Sequence, residues 1–478
     1  MNTRIKFALP LAIAAIILLL PVPEGLTPGA WQYFAVFMGV IVALMFEPLP
    51  GAAVGFIGIT IAAGFRLVPQ ASGAAATTGS SLQWALSGFS NGVVWTIFVA
   101  FMFAMGYEKT GLGKRISLLL MKKMGGSALG LGYAASMADL SLAPFIPSST
   151  SRSGGTIYPV VKNIPPMYQS LPESDRRKIG AYLMWTCLAA TCVTSSMFLT
   201  GIAPNMLSVA IVHQSVPGIT PITWMDWFTA VAPACIILFV ATPLLTYLIY
   251  PPTQKKFPDA PKWAAGELEK LGSITSKEIT MALLALGALI MWIAGGKIMN
   301  SALVAIAAMC LMVIFRIVSW DDVIGNKTAW NTLAWFATLV AMASGLGRVG
   351  FLKWLADVAS SHLSGLSMFA VILGLLTVYY FVHYFFASLA AHVTALMPVM
   401  MATALLVPDI DMRYISMLLC GSLGLMGIIT PYGTGPSPIY YNCGYITTKE
   451  FWVLGGIFGV IYFAVYAAVS MIWMPMVI

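Results

Sequence analysis

Long apolar stretches recur along almost the whole chain, and most of the polar linker composition lies in one segment near the middle, residues 251–278. A membrane-spanning helix needs about 20 mainly apolar residues. Only 9% of the 478 residues are charged, whereas about a quarter are charged in a typical soluble domain. The sequence therefore predicts an all-α polytopic membrane protein and excludes a water-soluble enzyme.

Eleven of these stretches have the length and composition of membrane spans. The first follows Arg4 and Lys6 and lacks a small-residue cleavage site, so it fits a span better than a signal peptide. The predicted spans are about 5–22, 31–48, 51–65, 91–107, 180–213, 229–250, 279–295, 300–317, 331–347, 412–430 and 452–475.

Two further apolar stretches, at about 126–160 and 366–400, are rich in Gly, Ser, Thr and Pro. Such stretches fit broken, re-entrant hairpins better than straight crossings. With a cytoplasmic N-terminus and both hairpins re-entrant, 19 of the 25 Lys and Arg residues lie in predicted cytoplasmic segments and 5 lie on the other side. Arg152 then remains inside the membrane, and the bias agrees with the positive-inside rule.

The chain carries an internal duplication at an offset of about half its length. Five predicted crossings separate equivalent points, so the two halves would be inverted, which is typical of secondary transporters with a site at the repeat interface. The predicted domains are a first span in 1–30, a first repeat in 31–250, a cytoplasmic linker in 251–278 and a second repeat in 279–478. The matches are Gly106, Lys109, Gly111 and Lys114 with Gly345, Arg348, Gly350 and Lys353, Trp95 with Trp335, Ser148 with Ser388, and Arg152 with His392.

The first hairpin places Ser148, Ser149, Thr150 and Arg152 close together, just before two glycines. Hydroxyls, freed backbone amides and a guanidinium are the groups that hold a carboxylate. The alternative is a Ser/Thr-rich helix contact with a snorkelling arginine, which the cost of a charge within the membrane disfavours. Asp139 could be a proton-coupling carboxylate or a structural partner of a backbone amide or of Arg152.

The second hairpin supplies Ser388 and His392, whereas His383 is interpreted as a hydrogen-bonded packing residue. Each hairpin is followed by a second break in an apolar span, TGIAPN at 200–205 and ITPYGTGPSP at 429–438. Proline and glycine at this density cannot continue a helix. Unwound backbone around Thr430, Pro431, Gly433, Thr434 and Gly435 is therefore expected to close the pocket.

Other functional classes lack their sequence motifs. The chain has no GxxxxGK[ST] loop, HExxH or CxxC pair, which argues against an ATP-driven pump, a membrane metalloprotease and a bound metal or cofactor. An anion channel remains the rival hypothesis. Channels usually build their pores from rings contributed by several subunits, whereas this chain carries its symmetry internally.

These motifs resemble the divalent anion/sodium symporter family over nearly the full length. The resemblance rests on SGFSNGVVWTIF (87–98), PSSTSRSGGTIYP (147–159) and ITPYGTGPSPIYYNCGYI (429–446). The last two are similar to the branch of citrate/succinate antiporters and 2-oxoglutarate/malate translocators. The resemblance implies a homodimer in the inner membrane of a bacterium. Each protomer would combine a fixed scaffold with a mobile transport part that moves as an elevator, and no nucleic acid would be bound.

The family's signature is a Ser-Asn-Thr triplet at each hairpin tip, which binds substrate carboxylates and helps to build sodium sites. Here the triplets read Ser148, Ser149, Thr150 and Ser388, Leu389, Ala390, so both asparagines are absent. The sequence thus predicts a sodium-independent antiporter of malate, succinate, 2-oxoglutarate or citrate, with Arg152 and His392 in place of cations. An unpaired charge in the empty site would disfavour empty return. A sodium- or proton-coupled symporter and an anion channel are the alternatives.

Overall fold

The computed structural model describes residues 3–46, 48–216, 218–294, 299–363, 367–407 and 409–478. Within these ranges the chain folds into helices joined by turns, and the one β-type contact is an isolated bridge between Ser127 and Lys256. The all-α fold that the composition predicts is therefore confirmed for the described residues. Residues 295 and 366, at the ends of a predicted span and hairpin, and Lys297, in the charge count, lie outside them.

The first half contains twelve helices in its described residues. They are α1 Thr3–Leu19, α2 Pro28–Phe46, α3 Gly51–Gly64, α4 Thr78–Leu86, α5 Gly92–Thr110, α6 Leu112–Met124, α7 Ala128–Leu142, α8 Tyr158–Val161, α9 Ile164–Met167, α10 Gly180–Met197, α11 Ala203–Ser215 and α12 Trp224–Ile249. A π-helix, Thr150–Ile157, precedes α8 directly.

The linker and the second half contain another twelve helices in the part that the structure describes. They are α13 Asp259–Leu271, α14 Ser276–Ile293, α15 Ser301–Ile314, α16 Trp320–Gly325, α17 Lys327–Arg348, α18 Phe351–Leu363, α19 Met368–Val382, α20 Leu389–Ala404, α21 Met412–Gly421, α22 Leu423–Met426, α23 Ser437–Asn442 and α24 Thr448–Val477.

Polar residues mark where several long apolar helices begin. Thr223 before α12, Thr275 before α14 and Thr447 before α24 each accept a hydrogen bond from the backbone of the third helical residue, and an acidic side chain there bonds back. This capping box satisfies backbone N–H groups that have no partner within the helix. The helix boundaries therefore follow from local sequence, although their interiors are almost uniformly apolar.

Six described helices are long and apolar enough to cross a membrane: α2, α5, α12, α14, the segment Met368–Phe385 and α24. The helices α3, α15 and α20 and the segment Met412–Met426 are apolar but shorter. The apolar stretch at 180–213 forms two helices, α10 and α11, because the TGIAPN motif interrupts it. The total of eleven spans and the elevator arrangement stay predictions.

Equivalent helices recur at the offset of the sequence duplication. The helices α6 and α18 each have 13 residues, and α7 and α19 each have 15. Gly111 and Gly350, which precede α6 and α18, share the left-handed backbone conformation, with φ of 77° and 79°. These matches support the duplication, whereas the domain boundaries and the inverted orientation of the halves stay predictions.

Both glycine- and serine-rich stretches fold as a helix, a bend and a returning helix. The first runs through α7, a bend at residues 143–149, and the π-helix with α8. The second runs through α19, a bend at residues 383–388, and α20. We call these the first and second hairpins. Backbone broken in this way at membrane depth is tolerated where other protein segments or a cavity satisfy it.

Helix α10 lies at the centre of the packing, since all 18 of its residues are buried. It is followed by the first break, residues 198–202, and then by α11. The second break, residues 427–436, separates α22 from α23 in the same manner. Gly424 of α22 packs against α10, and the backbone N–H of Leu425 donates to Ser196 Oγ over 3.1 Å. The two breaks are therefore held near each other through α10.

The linker is held along its length by the first half. The N–H of Thr253 donates to the Arg177 carbonyl, and the N–H of Phe257 donates to the Gly126 carbonyl, each over 2.9 Å. Lys109 lies 2.5 Å from Asp322. The hydrogen bond from Lys109, together with those from Ser319, lowers the pKa of Asp322 to about 2. The backbone contacts thus join the linker to the first half, and the Lys109–Asp322 pair joins the two halves.

Candidate functional site

The second break contacts the bend of the second hairpin. The ring Nε2 of His383 lies 2.8 Å from the Gly433 carbonyl oxygen, and the Tyr432 hydroxyl donates to the Tyr384 carbonyl over 3.1 Å. His383 is fully buried. The sequence predicts that His383 is a hydrogen-bonded packing residue, and its hydrogen bond agrees with this prediction. Its partner, the Gly433 carbonyl, nevertheless belongs to the second break, which the sequence predicts for the site.

The second break also contacts the tip of the first hairpin. Ser149 Oγ and Thr434 Oγ1 lie 3.5 Å apart. A Cβ atom added to Gly435 would lie only 1.9 Å from Thr150 Oγ1, so the tip packs directly on the glycine backbone. The structure thus brings together Ser149, Thr150, Thr434 and Gly435, which the sequence predicts for the site.

A second contact, which sequence reasoning missed, lies just below this tip. The hydroxyls of Ser153 and Tyr440 are 2.8 Å apart, and both side chains are buried. A Cβ on Gly154 would meet Ile439 at 2.3 Å. All four residues belong to the two hydroxyl- and glycine-rich motifs, so motif membership was the available signal.

Part of this surface is exposed in the single chain. Thr430 is fully buried and Thr434 nearly so. The exposed or half-buried positions are Ser148, Thr150, Tyr384, Ser388, Pro431, Tyr432 and Gly435. A surface with hydroxyls and unwound backbone therefore extends from the first hairpin across the second break to the second hairpin.

Helices begin at both hairpin tips. The π-helix starts at Thr150, and α20 starts at Leu389, where the Ser388 side chain accepts a hydrogen bond from the Ala391 N–H over 3.4 Å. Helix N-termini carry partial positive charge and favour anions. Both tips can therefore stabilise negative charge without a bound cation.

Arg152 is fully buried, and each of its guanidinium nitrogens donates hydrogen bonds to oxygen atoms of the protein. Nε donates to Asp139 Oδ2 over 3.1 Å, and Nη1 donates to the carbonyls of Ile146 and Gly201 over 2.8 and 2.7 Å. Nη2 donates to the hydroxyls of Thr191, Thr194 and Ser195 over 3.3, 3.3 and 2.9 Å. A substrate carboxylate would have to displace one of these partners to reach Arg152 directly.

Asp139 is the partner of this arginine and of α10. It accepts hydrogen bonds from Thr191, over 3.2 Å, and from Thr194. Of the two roles that the sequence left open, the structure favours the structural partner, because the carboxylate lies beside the guanidinium and the residue is buried.

His392 lies in a different environment from Arg152, although the two match in the duplication. Its ring packs against Tyr379, His383 and Phe386, with centroid distances of 4.5, 5.1 and 5.2 Å. It is fully buried, and neither ring nitrogen has a hydrogen-bond partner. At the second hairpin it is thus His383, and not His392, that bonds to the break.

Comparison with known proteins identifies the family. The sequence model described as "Sodium:sulfate symporter transmembrane region" matches residues 2–478. The chain belongs to this family. The resemblance to the divalent anion/sodium symporters is thereby confirmed, and the protein is a membrane transporter and not an enzyme.

Several relatives carry a more specific description. The L-tartrate/succinate antiporter of Escherichia coli (strain K12) is 45% identical over 480 residues, which cover 99% of this chain and 98% of the relative. The L-tartrate/succinate antiporter of Shigella sonnei (strain Ss046) is equally similar, with 45% identity over the same shares.

Two solved transporters share the fold at low sequence identity. The YdaH transporter of Alcanivorax borkumensis aligns with a TM-score of 0.57 and 13% identity, over 89% of this chain and 97% of that protein. MtrF of Neisseria gonorrhoeae, described among antimetabolite efflux pumps, aligns with a TM-score of 0.55 and 12% identity, over 88% of this chain and 94% of that protein. At this identity the likeness extends to the fold alone.

Proposed function

We propose that the protein is a sodium-independent antiporter of small dicarboxylates in the inner membrane of a bacterium. The observation that carries this proposal is the Arg152 guanidinium, which lies among carbonyl and hydroxyl oxygens at the bend of the first hairpin and the first break. The antiporters that are 45% identical to the chain support the substrate class and the exchange. Succinate, L-tartrate and malate are the proposed substrates, and 2-oxoglutarate and citrate are further candidates.

The proposed carboxylate contacts are neutral donors. Ser148, Ser149 and Thr150 would hold one carboxylate at the first hairpin, together with Thr434 and the backbone at Gly435. Ser388 and the N-terminal end of α20 would hold the other. Thr430, Pro431 and Gly433 would line the floor between them, and the two helix N-termini offset the substrate's negative charge.

Arg152 would support this site without touching the substrate. Sodium ions in transporters of this general kind are coordinated by backbone carbonyls of unwound segments. Here the Ile146 and Gly201 carbonyls already accept hydrogen bonds from a covalently attached cation. We therefore propose that the guanidinium takes the place of one sodium ion, which leaves no ligands for that ion at this hairpin.

The geometry changes the physical argument for exchange. The sequence suggested that an unpaired Arg152 would disfavour empty return, but Asp139 already pairs with the arginine. The remaining reason why the empty carrier would return poorly is that it contains buried polar atoms without hydrogen-bond partners, which cost free energy. In the described structure these include Thr430 Oγ1 and both ring nitrogens of His392. We propose that bound substrate rearranges this region and satisfies some of these atoms, so that the loaded carrier moves more readily than the empty one.

A proton-coupled symporter is the second candidate. The observation that favours it is the His383–His392 pair, whose ring centroids are 5.1 Å apart and which has unpartnered nitrogens on both rings. Histidine is the side chain that most readily changes charge near neutral pH. Uptake into liposomes without internal substrate, driven by a pH gradient alone, would favour symport over exchange.

The substrate class can be tested by competition. Liposomes loaded with unlabelled succinate should take up labelled succinate, and external L-tartrate, malate and other four-carbon dicarboxylates should inhibit this uptake. Monocarboxylates such as butyrate should inhibit it weakly, because only one hairpin tip would be engaged. Equal inhibition by butyrate and succinate would contradict a site that binds both carboxylates of its substrate.

A further inference from the structure

We infer that Asp139 is a positioning residue of the transport site, which acts through Arg152 and makes the buried pair electrically neutral. This inference rests on the proposed function only in that Arg152 replaces a cation there. Asp139 does not reach the hydroxyl surface of the hairpin tips, since its described hydrogen-bond partners are Arg152, Thr191 and Thr194.

The Asp139–Arg152 pair joins the two arms of the first hairpin next to its bend. Asp139 lies on α7, and Arg152 lies on the returning π-helix, 13 residues further along. Their side chains are 3% and 0% exposed and meet at 3.1 Å. Because Thr191 and Thr194 also donate to Asp139, the carboxylate fixes both arms of the hairpin to α10. The tip residues Ser148 to Thr150 follow the orientation of these arms.

The carboxylate also sets the direction of the guanidinium. With Nε bonded to Asp139, the other two nitrogens point toward the Ile146 and Gly201 carbonyls and the hydroxyls of α10. An isolated buried charge is costly, and the cost falls when the charge is paired and hydrogen-bonded. The pair can therefore move through the membrane without a net charge of its own.

Removal of the guanidinium would leave a cage of oxygen atoms. Its walls would be the Asp139 carboxylate, the carbonyls of Ile146 and Gly201, and the hydroxyls of Thr191, Thr194 and Ser195. Oxygen ligands with one negative charge suit a hard cation. A variant without the guanidinium should thus bind sodium through Asp139, whereas a variant that also lacks the carboxylate should not.

The test measures thermal unfolding of the purified full chain in detergent, in sodium chloride and in choline chloride at equal ionic strength. For Arg152→Ala, sodium should raise the melting temperature by about 3 °C. The unsubstituted protein and the double variant Asp139→Asn/Arg152→Ala should show no sodium-specific shift. Absence of the shift in folded Arg152→Ala, or an equal shift in the double variant, would overturn the inference.

A second set of variants applies if Arg152→Ala does not fold. Asp139→Asn and Arg152→Met each leave one buried charge without its partner, whereas the double variant Asp139→Asn/Arg152→Met leaves neither. A neutral pair predicts that the double variant is recovered in higher yield and melts higher than both single variants. If it is no better than the worse single variant, the two side chains do not act as a unit. Neither experiment requires transport, so the proposed function can fail separately.

Discussion

Arg152→Ala should reduce dicarboxylate exchange in sodium-free liposomes almost to background. The substitution removes six hydrogen-bond contacts that join the first hairpin, α10 and the first break. It also leaves Asp139 as a buried charge without its partner, and breaking such a pair typically costs about 3–5 kcal/mol. The measurement is the initial rate of labelled succinate uptake into succinate-loaded liposomes, normalised to the amount of folded protein.

Arg348→Ala provides a matched control for this variant. Arg348 is an exposed arginine in the last turn of α17, so its removal should leave the exchange rate close to that of the unsubstituted protein. If Arg152→Ala exchanged as fast as Arg348→Ala in sodium-free buffer, Arg152 would have no role in the site, and the argument for sodium independence would lose its basis.

Gly435→Ala should slow exchange by about 100-fold, because a displacement of about 1 Å at a binding site can have an effect of that size. The new Cβ would lie 1.9 Å from Thr150 Oγ1. The Thr150 side chain, the tip of the first hairpin or the second break would therefore have to shift. The same uptake assay, with folding checked by size-exclusion chromatography, measures the effect.

Gly456→Ala is the control for the glycine substitution. Gly456 lies in α24, and a Cβ there would meet no atom within 4 Å outside its own helix. It should fold and exchange normally. Normal exchange by Gly435→Ala would mean that the contact between Thr150 and Gly435 is not needed at any step of transport.

The fold and the breaks were readable from sequence, because they depend on local composition. Proline and glycine within TGIAPN and ITPYGTGPSP disfavour a continuing α-helix. In the structure α10 ends at Met197 and is followed by a short 3-10 turn, Leu199–Gly201, whereas residues 427–436 form turns and bends. The predicted duplication also rests on local features, and it stays a prediction that the helix lengths support. Matching helices retain their lengths and the glycine turns that precede them.

The orientation of individual side chains was not readable in this way. The partners of Arg152 on α10 and in the first break lie 39 to 49 residues further along the chain. No local pattern indicates that a serine- and threonine-bearing face of α10 turns toward the arginine. For the same reason, the sequence could not show that His383, and not His392, hydrogen-bonds to Gly433.

The measurement that tests the central claim most directly compares exchange in sodium and in choline buffers. Liposomes loaded with unlabelled succinate should take up labelled succinate at equal rates in the two buffers. The reason is that the oxygen atoms that a sodium ion would need already accept hydrogen bonds from Arg152. Liposomes without internal dicarboxylate should take up almost none. Strong uptake into empty liposomes, driven by an inward sodium gradient, would contradict both the sodium independence and the exchange.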